Sequence, residues 1–213
     1  MSIRPTVATG LAATAGLGLI AAAVSILAGH LQADPGLSPT AATISDYAAT
    51  DRGGAVESGM FLCGLASLLL LAALTVVRAP LSWPIRLGAA AWSAGLIVAA
   101  YVPTDQFGLP LSTSGYIHRY ASLAAFVGLL IACALLVRRM LADPAWRAVA
   151  RLVGWLTGAA AIGGAVMLAT AEVGDRVLIG LFERVLTGAQ LAALVVLAYQ
   201  AWRLASRPRL ALA

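Results

Sequence analysis

Six long apolar runs, separated by short polar segments, dominate this chain. A membrane's hydrocarbon core of about 30 Å is crossed by a helix of about 20 apolar residues, and the runs are close to that length. The pattern predicts six transmembrane helices, at about residues 7–28, 56–77, 87–102, 116–137, 152–171 and 185–202. No segment is left for a separate soluble domain, so we expect residues 1–213 to form one all-α integral membrane bundle.

The charged residues lie mostly at the ends of these runs and divide between the two faces of the predicted bundle. One face carries ten arginines and a single acid, whereas the other carries eight acids and four arginines. The arginines of the first face are Arg4, Arg78, Arg86, Arg138, Arg139, Arg147, Arg151, Arg203, Arg207 and Arg209. Because short arginine-rich loops stay in the cytoplasm, we expect both chain ends to be cytoplasmic and the acidic face to point outward.

The composition supports a membrane protein. Of the 213 residues, 61% are hydrophobic and 11% are charged, whereas soluble domains carry about 25% charged residues. The net charge of +5 does not indicate nucleic-acid binding, because the arginines are scattered at helix ends beside Trp83, Trp146 and Trp202, as interfacial anchors are. We expect contact with anionic membrane lipids and no nucleic-acid partner.

The absence of lysine and the abundance of alanine indicate a bacterial coding bias. The predicted location is therefore the bacterial cytoplasmic (inner) membrane, with several passes through it.

The centres of the predicted spans contain no Asp, Glu, Lys, Arg or His. Proton relays and ion-coupled transporters place ionisable groups at mid-membrane, so the pattern argues against both classes of protein. The two cysteines, Cys63 and Cys133, also fall inside spans, where a small apolar thiol packs well. Their spacing matches no metal or redox motif, and we interpret both as core residues.

The outward ends of the six helices bring the polar side chains of the chain to one layer. The candidate binding residues in this layer are His30, Asp46, Asp105, His118, Arg119, Glu183 and Arg184. Both histidines of the chain are among them, which motivates a functional interpretation. The alternative interpretation is that they are ordinary boundary residues, because helix ends in membranes collect charge.

Two chemistries could use these residues. Imidazole and carboxylate groups form ligand sets for zinc or iron, and the candidate metal ligands are His30, His118 and Asp105. No metal-binding spacing such as HExxH appears, so we predict no cofactor and keep a metal as the alternative. In the second chemistry, Arg119 and Arg184 hold a phosphate or carboxylate head group by bidentate hydrogen bonds, while the apolar bundle accepts a tail.

These patterns favour a membrane protein with an outward-facing polar pocket that binds or moves a lipid or another amphipathic molecule. One alternative is a membrane-embedded enzyme, metal-dependent or not, with a site built from His30, Asp46, Asp105, His118 and Glu183. The other alternative is a small helical subunit that assembles with a membrane-complex partner or as a homo-oligomer.

Several short segments carry a resemblance to known proteins through their order and spacing. They are His30-Leu31, Ile44-Ser45-Asp46-Tyr47, Phe61, Gly64, Pro103-Thr104-Asp105, Gly115 to His118, and Gly180-Leu181-Phe182-Glu183-Arg184. Together they resemble, over nearly the whole chain, the bacterial six-helix membrane proteins of domain-of-unknown-function family 998. The resemblance implies a six-helix bundle and supplies no reaction.

The tripeptide Ile44-Ser45-Asp46 is also similar to the first outer loop of the Frag1/DRAM/Sfk1 membrane family. That family is associated with lipid organisation and membrane trafficking. The similarity implies a related bundle, and it carries over no functional residue beyond the tripeptide.

Overall fold

The computed structural model describes residues 3–32, 36–106, 108–173 and 176–207. Within them it is all-helical. The helices are α1 (Ile3–Gln32), α2 (Ile44–Thr50), α3 (Ala55–Val76), α4 (Trp83–Tyr101), α5 (Thr113–Ala142), α6 (Arg147–Val173) and α7 (Ile179–Ala205). Six of these, all except α2, are long and apolar enough to cross a membrane. The predicted all-α class with six long apolar helices is confirmed, and the chain has the architecture of a multi-pass membrane protein.

The helices extend beyond the predicted spans. Helix α4 begins at Trp83 instead of residue 87, and α5 runs from Thr113 to Ala142 instead of 116–137. Helix α7 begins at Ile179, six residues before the predicted span at 185–202. The hydropathy pattern detects only the apolar residues that lie in the hydrocarbon core. A helix can continue beyond them into the membrane interface, because its backbone hydrogen bonds remain satisfied there.

The six long helices form a closed ring in chain order. Helix α1 packs against α3, α3 against α4, α4 against α5, α5 against α6, α6 against α7, and α7 returns to α1. Between α4 and α5 the backbones approach closely at Gly95, where an added Cβ would meet the carbonyl oxygen of Ala121 and would lie 2.9 Å from the Cβ of Ala125. Small residues let the backbones of membrane helices come close together, so that packing contacts can drive association in lipid, where the hydrophobic effect does not.

The interior of the ring holds a few polar groups that are satisfied locally. The indole nitrogen of Trp92 donates to the Ser67 hydroxyl at 2.9 Å, and that hydroxyl donates to the Cys63 carbonyl at 2.7 Å. Cys63 and Cys133 are both buried and unbonded to each other. Their positions agree with the prediction that they are core residues.

Helix α2 is an element that the sequence analysis did not predict, because it lies between the predicted spans at 7–28 and 56–77. Thr43 caps this helix: its hydroxyl accepts from the Asp46 amide at 3.1 Å, while the Asp46 carboxylate accepts from the Thr43 amide at 2.7 Å. Such a reciprocal capping box satisfies two amides that the first turn leaves unpaired. Tyr47, Ala48 and Ala49 of α2 are buried, so α2 covers the end of the bundle against α3 and α7.

Candidate functional site

Helix α2 and the segment before it are fastened to the first turns of α7. The backbone amide of Ile44 donates to the Glu183 carboxylate at 2.5 Å. The Nη1 of Arg184 donates to the carbonyl of Ala42 at 2.9 Å and to that of Gly180 at 2.8 Å. Two adjacent residues of α7 therefore hold the cap, a name we use for residues 37–50.

The ring of Tyr47 lies between two of the predicted site residues. Its centroid is 4.2 Å from that of the His30 ring and 5.3 Å from the guanidinium carbon of Arg184. Tyr47 is 2% exposed, and its hydroxyl donates to the Leu37 carbonyl at 3.2 Å. A cation over an aromatic face is attracted by the ring quadrupole, so Tyr47 joins α1, the cap and α7 at one point.

His118 connects the cap to α4 and α5. Its Nε2 lies 3.0 Å from the Ser45 hydroxyl, and its Nδ1 lies 3.0 Å from the Val102 carbonyl. A carbonyl only accepts hydrogen bonds, so Nδ1 carries a hydrogen, and Nε2 accepts from Ser45 when it carries none. The side chain is buried, at 3% exposure.

Of the other predicted residues, Asp46 belongs to the cap itself, while Asp105 and Arg119 lie just before or within α5. Asp46, besides capping α2, forms an ion pair with Arg176 at 3.2 Å. Asp105 accepts from the amide and the hydroxyl of Ser112, at 2.8 and 3.0 Å, and so orders the loop before α5. Arg119 is exposed.

The structure therefore gathers only part of the predicted set. His30, Glu183 and Arg184 meet around the cap, to which Asp46 belongs, and His118 contacts the cap from the α5 side through Ser45. In the part of the chain that the structure describes, no group of three or more His, Cys, Asp or Glu side chains could hold a metal ion. The proposed ligand set of His30, His118 and Asp105 thus has no converged geometry.

Beneath the cap is a cavity of about 310 Å³ with a polar end and an apolar end. The polar groups of its lining are His30, Ser45, Ser122, Glu183, Arg184 and Thr187. The apolar lining includes Met60, Trp92, Leu96, Phe126 and Leu191. On α7 the lining runs from Glu183 to Leu191, and at 1.5 Å per residue this corresponds to a length of about 12 Å along the helix.

Two of these side chains have a nitrogen atom with no hydrogen-bond partner among the described residues. The two atoms are Nε2 of His30 and Nη2 of Arg184, and both are buried. Buried polar groups in folded proteins are nearly always hydrogen-bonded, to protein or to another molecule. Because both atoms are inaccessible to a water-sized molecule, they are not part of the open surface of the cavity.

Family comparison agrees with the architecture. The family described as "Protein of unknown function (DUF998)" matches residues 6–200, a range that includes all six long apolar helices except a few terminal residues. The chain belongs to the DUF998 family. The expected resemblance to family 998 is thereby confirmed, whereas the weaker similarity to the Frag1/DRAM/Sfk1 family is not shown.

Comparison of this DUF998 chain with curated proteins gave no match. Comparison with solved structures gave no match either.

The sequence analysis missed several residues of the cavity, although a signal for some of them exists. Thr187 and Gly188 stand four residues after Glu183 and Arg184, and residues four apart share a helix face. Extending the predicted pair along α7 would have found both. Ser122 has no comparable signal, because its place in the cavity depends on how α5 is rotated in the ring.

Proposed function

We propose that this DUF998 protein binds a lipid or another amphipathic molecule in the cavity beneath the cap. The observation that carries the proposal is the polarity gradient of one continuous cavity, with His30, Glu183 and Arg184 in the lining at one end and apolar side chains at the other. A molecule with a polar head and an apolar tail matches both ends at once.

The size of the cavity fits this class of ligand. Small-molecule sites commonly measure about 300–1,000 Å³, and this cavity is about 310 Å³. Each methylene moved from water into the apolar end would contribute about 0.8 kcal/mol. For a ligand arriving from the membrane instead of from water the gain is smaller, so the head-group contacts would decide which membrane molecule is selected.

The cavity also reaches the surface of the bundle. Leu27 of α1 lines it and is 64% exposed. Gly188 of α7 lines it and is exposed, and a Cβ added there would meet no atom within 4 Å. Both residues belong to apolar spans, so a ligand can enter sideways from the membrane.

The test is to fill the cavity without disturbing the bundle. Gly188→Leu places a side chain into open space at the cavity, whereas Gly158→Leu places the same side chain into open space on α6, away from the cavity. We expect the native protein and Gly158→Leu, purified from membranes in mild detergent, to carry a bound amphiphile in native mass spectrometry. Gly188→Leu should lose it; equal retention by the two variants would refute the proposal.

A second candidate function, a membrane enzyme that hydrolyses acyl esters, is favoured by the contact between Ser45 and His118. When His118 carries a hydrogen only on Nδ1, Ser45 donates to its Nε2, as in nucleophile–base pairs. In such a reaction, the Ser45 oxygen attacks the ester carbonyl and its proton passes through His118 to the leaving alcohol. Water then attacks the acyl-serine and releases the acid.

A fluorophosphonate probe, which labels activated serines, tests this second candidate. Labelling of the native protein that is lost in Ser45→Ala and kept in Ser122→Ala would support the enzyme, because both serines line the cavity and only Ser45 contacts His118. Native protein that stays unlabelled would leave the Ser45–His118 contact a structural one that positions the cap.

A further inference from the structure

We infer that Trp92 closes the inner end of the cavity beneath the cap and so sets the length of the apolar tail that the cavity accepts. This inference rests on the proposed function and specifies the tail of its ligand, whatever head group that ligand carries. Its basis is a second, smaller cavity of about 30 Å³, which lies further from the cap inside the same bundle. We call the two the outer cavity and the inner cavity.

The outer and inner cavities follow one another along the helices that line both. On α5 the outer lining ends at Phe126 and the inner lining begins at Leu129. On α7 the corresponding residues are Leu191 and Leu194, and α3 shows the same succession within about one turn. Among the described residues, Trp92 of α4 is the only one that lines both cavities. Its side chain therefore lies at the boundary between them.

Contacts on two sides hold Trp92 in this position. Its indole nitrogen donates to the Ser67 hydroxyl at 2.9 Å, and its ring centroid lies 6.2 Å from that of Phe126. Trp92 is 2% exposed. Protein interiors are close-packed, and extra methylenes forced against a packed side chain are destabilising. A tail that reaches the indole must therefore stop or bend.

The distance from the polar end of the outer cavity to Trp92 limits the tail. The lining extends about 12 Å along α7, from Glu183 to Leu191, and about 10 Å along α1, from Ala23 to His30, at 1.5 Å per residue. An extended alkyl chain advances about 1.3 Å per carbon, because its C–C bonds of about 1.5 Å alternate in direction. A straight tail in the outer cavity therefore has at most about nine carbons.

The inner cavity is suited to a tail but is closed to it by the indole. Apart from the Ser67 hydroxyl, its lining is apolar. It extends along α5 from Leu129 to Leu136, about 10 Å at 1.5 Å per residue, and both of these leucines are buried. A smaller side chain in place of Trp92 would join the two cavities in line. A longer tail would then meet apolar space instead of a packed ring.

The experiment measures the binding of single-chain amphiphiles to the full-length protein in lipid nanodiscs. The tails are octyl, decyl, dodecyl, tetradecyl and hexadecyl, and each is tried on a neutral glycerol, an anionic phosphate and a cationic trimethylammonium head. Only binding that Gly188→Leu blocks is counted. The measured quantity is the ratio of the tetradecyl affinity to the octyl affinity for one head group. Each probe partitions into the same lipid whichever protein is present, so a change of this ratio between protein variants reports the site alone.

Trp92→Leu is the most informative variant, because it removes the indole and keeps an apolar side chain. It should raise the ratio about fivefold or more relative to the native protein, since a long tail no longer overpacks the ring. Cys63→Leu enlarges a side chain of the outer lining with Trp92 in place, and it should lower the ratio. Leu136→Ala is the matched control. It deletes apolar volume from the inner cavity while Trp92 stays, and it should leave the ratio unchanged.

The outcomes separate this inference from the proposed function. An unchanged ratio in Trp92→Leu overturns the tail-length inference and leaves the cavity proposal standing, because the tail then leaves the cavity sideways between α1 and α7. A ratio that rises equally in Leu136→Ala also overturns it, since a general loosening of the bundle accounts for both changes. If Trp92→Leu does not yield folded protein, an unchanged ratio in Cys63→Leu overturns the inference instead. No binding that depends on Gly188, with any head group, overturns both proposals.

Discussion

Two glycines of α7 allow a sharp test of how the cap is held, because the same substitution has opposite expected effects at each. A methyl group at Gly180 would overlap the carbonyl oxygen of Ala42 and lie 2.8 Å from both its carbonyl carbon and the Pro39 oxygen. These atoms belong to the backbone of the cap and cannot rotate away. At Gly188, by contrast, an added Cβ meets nothing within 4 Å.

The magnitudes follow from these contacts. Replacing glycine by alanine inside a helix stabilises it by about 0.8–1.0 kcal/mol, and Gly188→Ala should gain most of this. Gly180→Ala should instead cost about 1–3 kcal/mol, as overpacking of a close contact does. Since 1 kcal/mol shifts the melting temperature of a chain of 150–250 residues by about 2–4 °C, the two variants should differ by several degrees.

The assay is thermal unfolding of both variants in the same detergent, followed by tryptophan fluorescence or by loss of the monodisperse elution peak. We expect an apparent Tm above that of the native protein for Gly188→Ala and below it for Gly180→Ala. The docking of the cap on α7 would be refuted if Gly180→Ala were as stable as Gly188→Ala, because the methyl group could then be accommodated only with the cap elsewhere.

Three further predictions follow from other contacts. Thr43→Ala removes the N-cap side chain of α2 and should lower the free energy of unfolding by about 1 kcal/mol. The expected result is a lower Tm and faster proteolysis after Arg52. An unchanged proteolysis rate would mean that the capping box contributes nothing to stability. Trp92→Phe deletes the hydrogen bond to Ser67. The loss should lower stability by about 0.6 kcal/mol, the average for interhelical hydrogen bonds in membranes, in addition to the lost packing. An increase in Tm would contradict that bond. If the predicted orientation is right, Arg52→Cys should react with a membrane-impermeant maleimide in intact cells, and Ala145→Cys should react only after lysis. The reverse labelling pattern would show that the orientation is the opposite of the one predicted.

The sequence alone was enough to predict the membrane bundle, because its main determinant is local. About 20 consecutive apolar residues can satisfy their backbone groups in hydrocarbon only as a helix, whatever the rest of the chain does. The ends were less well predicted, as with α4, which begins at Trp83. Helix α2 was missed although its Thr43–Asp46 capping pattern is visible, because seven residues do not form a stable helix without the tertiary contacts that bury Tyr47.

For the site, the sequence placed seven polar residues at one end of the bundle and could not say which of them meet. Glu183 and Arg184 line the cavity while Arg119, at a similar level of another helix, is exposed. The difference lies in the order of the helices in the ring and in the rotation of each about its axis. Apolar runs that are hydrophobic on every side, as those of buried and membrane helices are, carry no periodic signal that fixes this rotation.

Span number and the level of each polar side chain were therefore determined by the sequence, since each depends on distance along one helix. The cavity, the cap above it and the meeting of His30 with Arg184 around Tyr47 were decided only by the tertiary structure. They join residues from α1 to α5 and from α7, and the relative positions of these helices arise from close packing and have no local code in the chain.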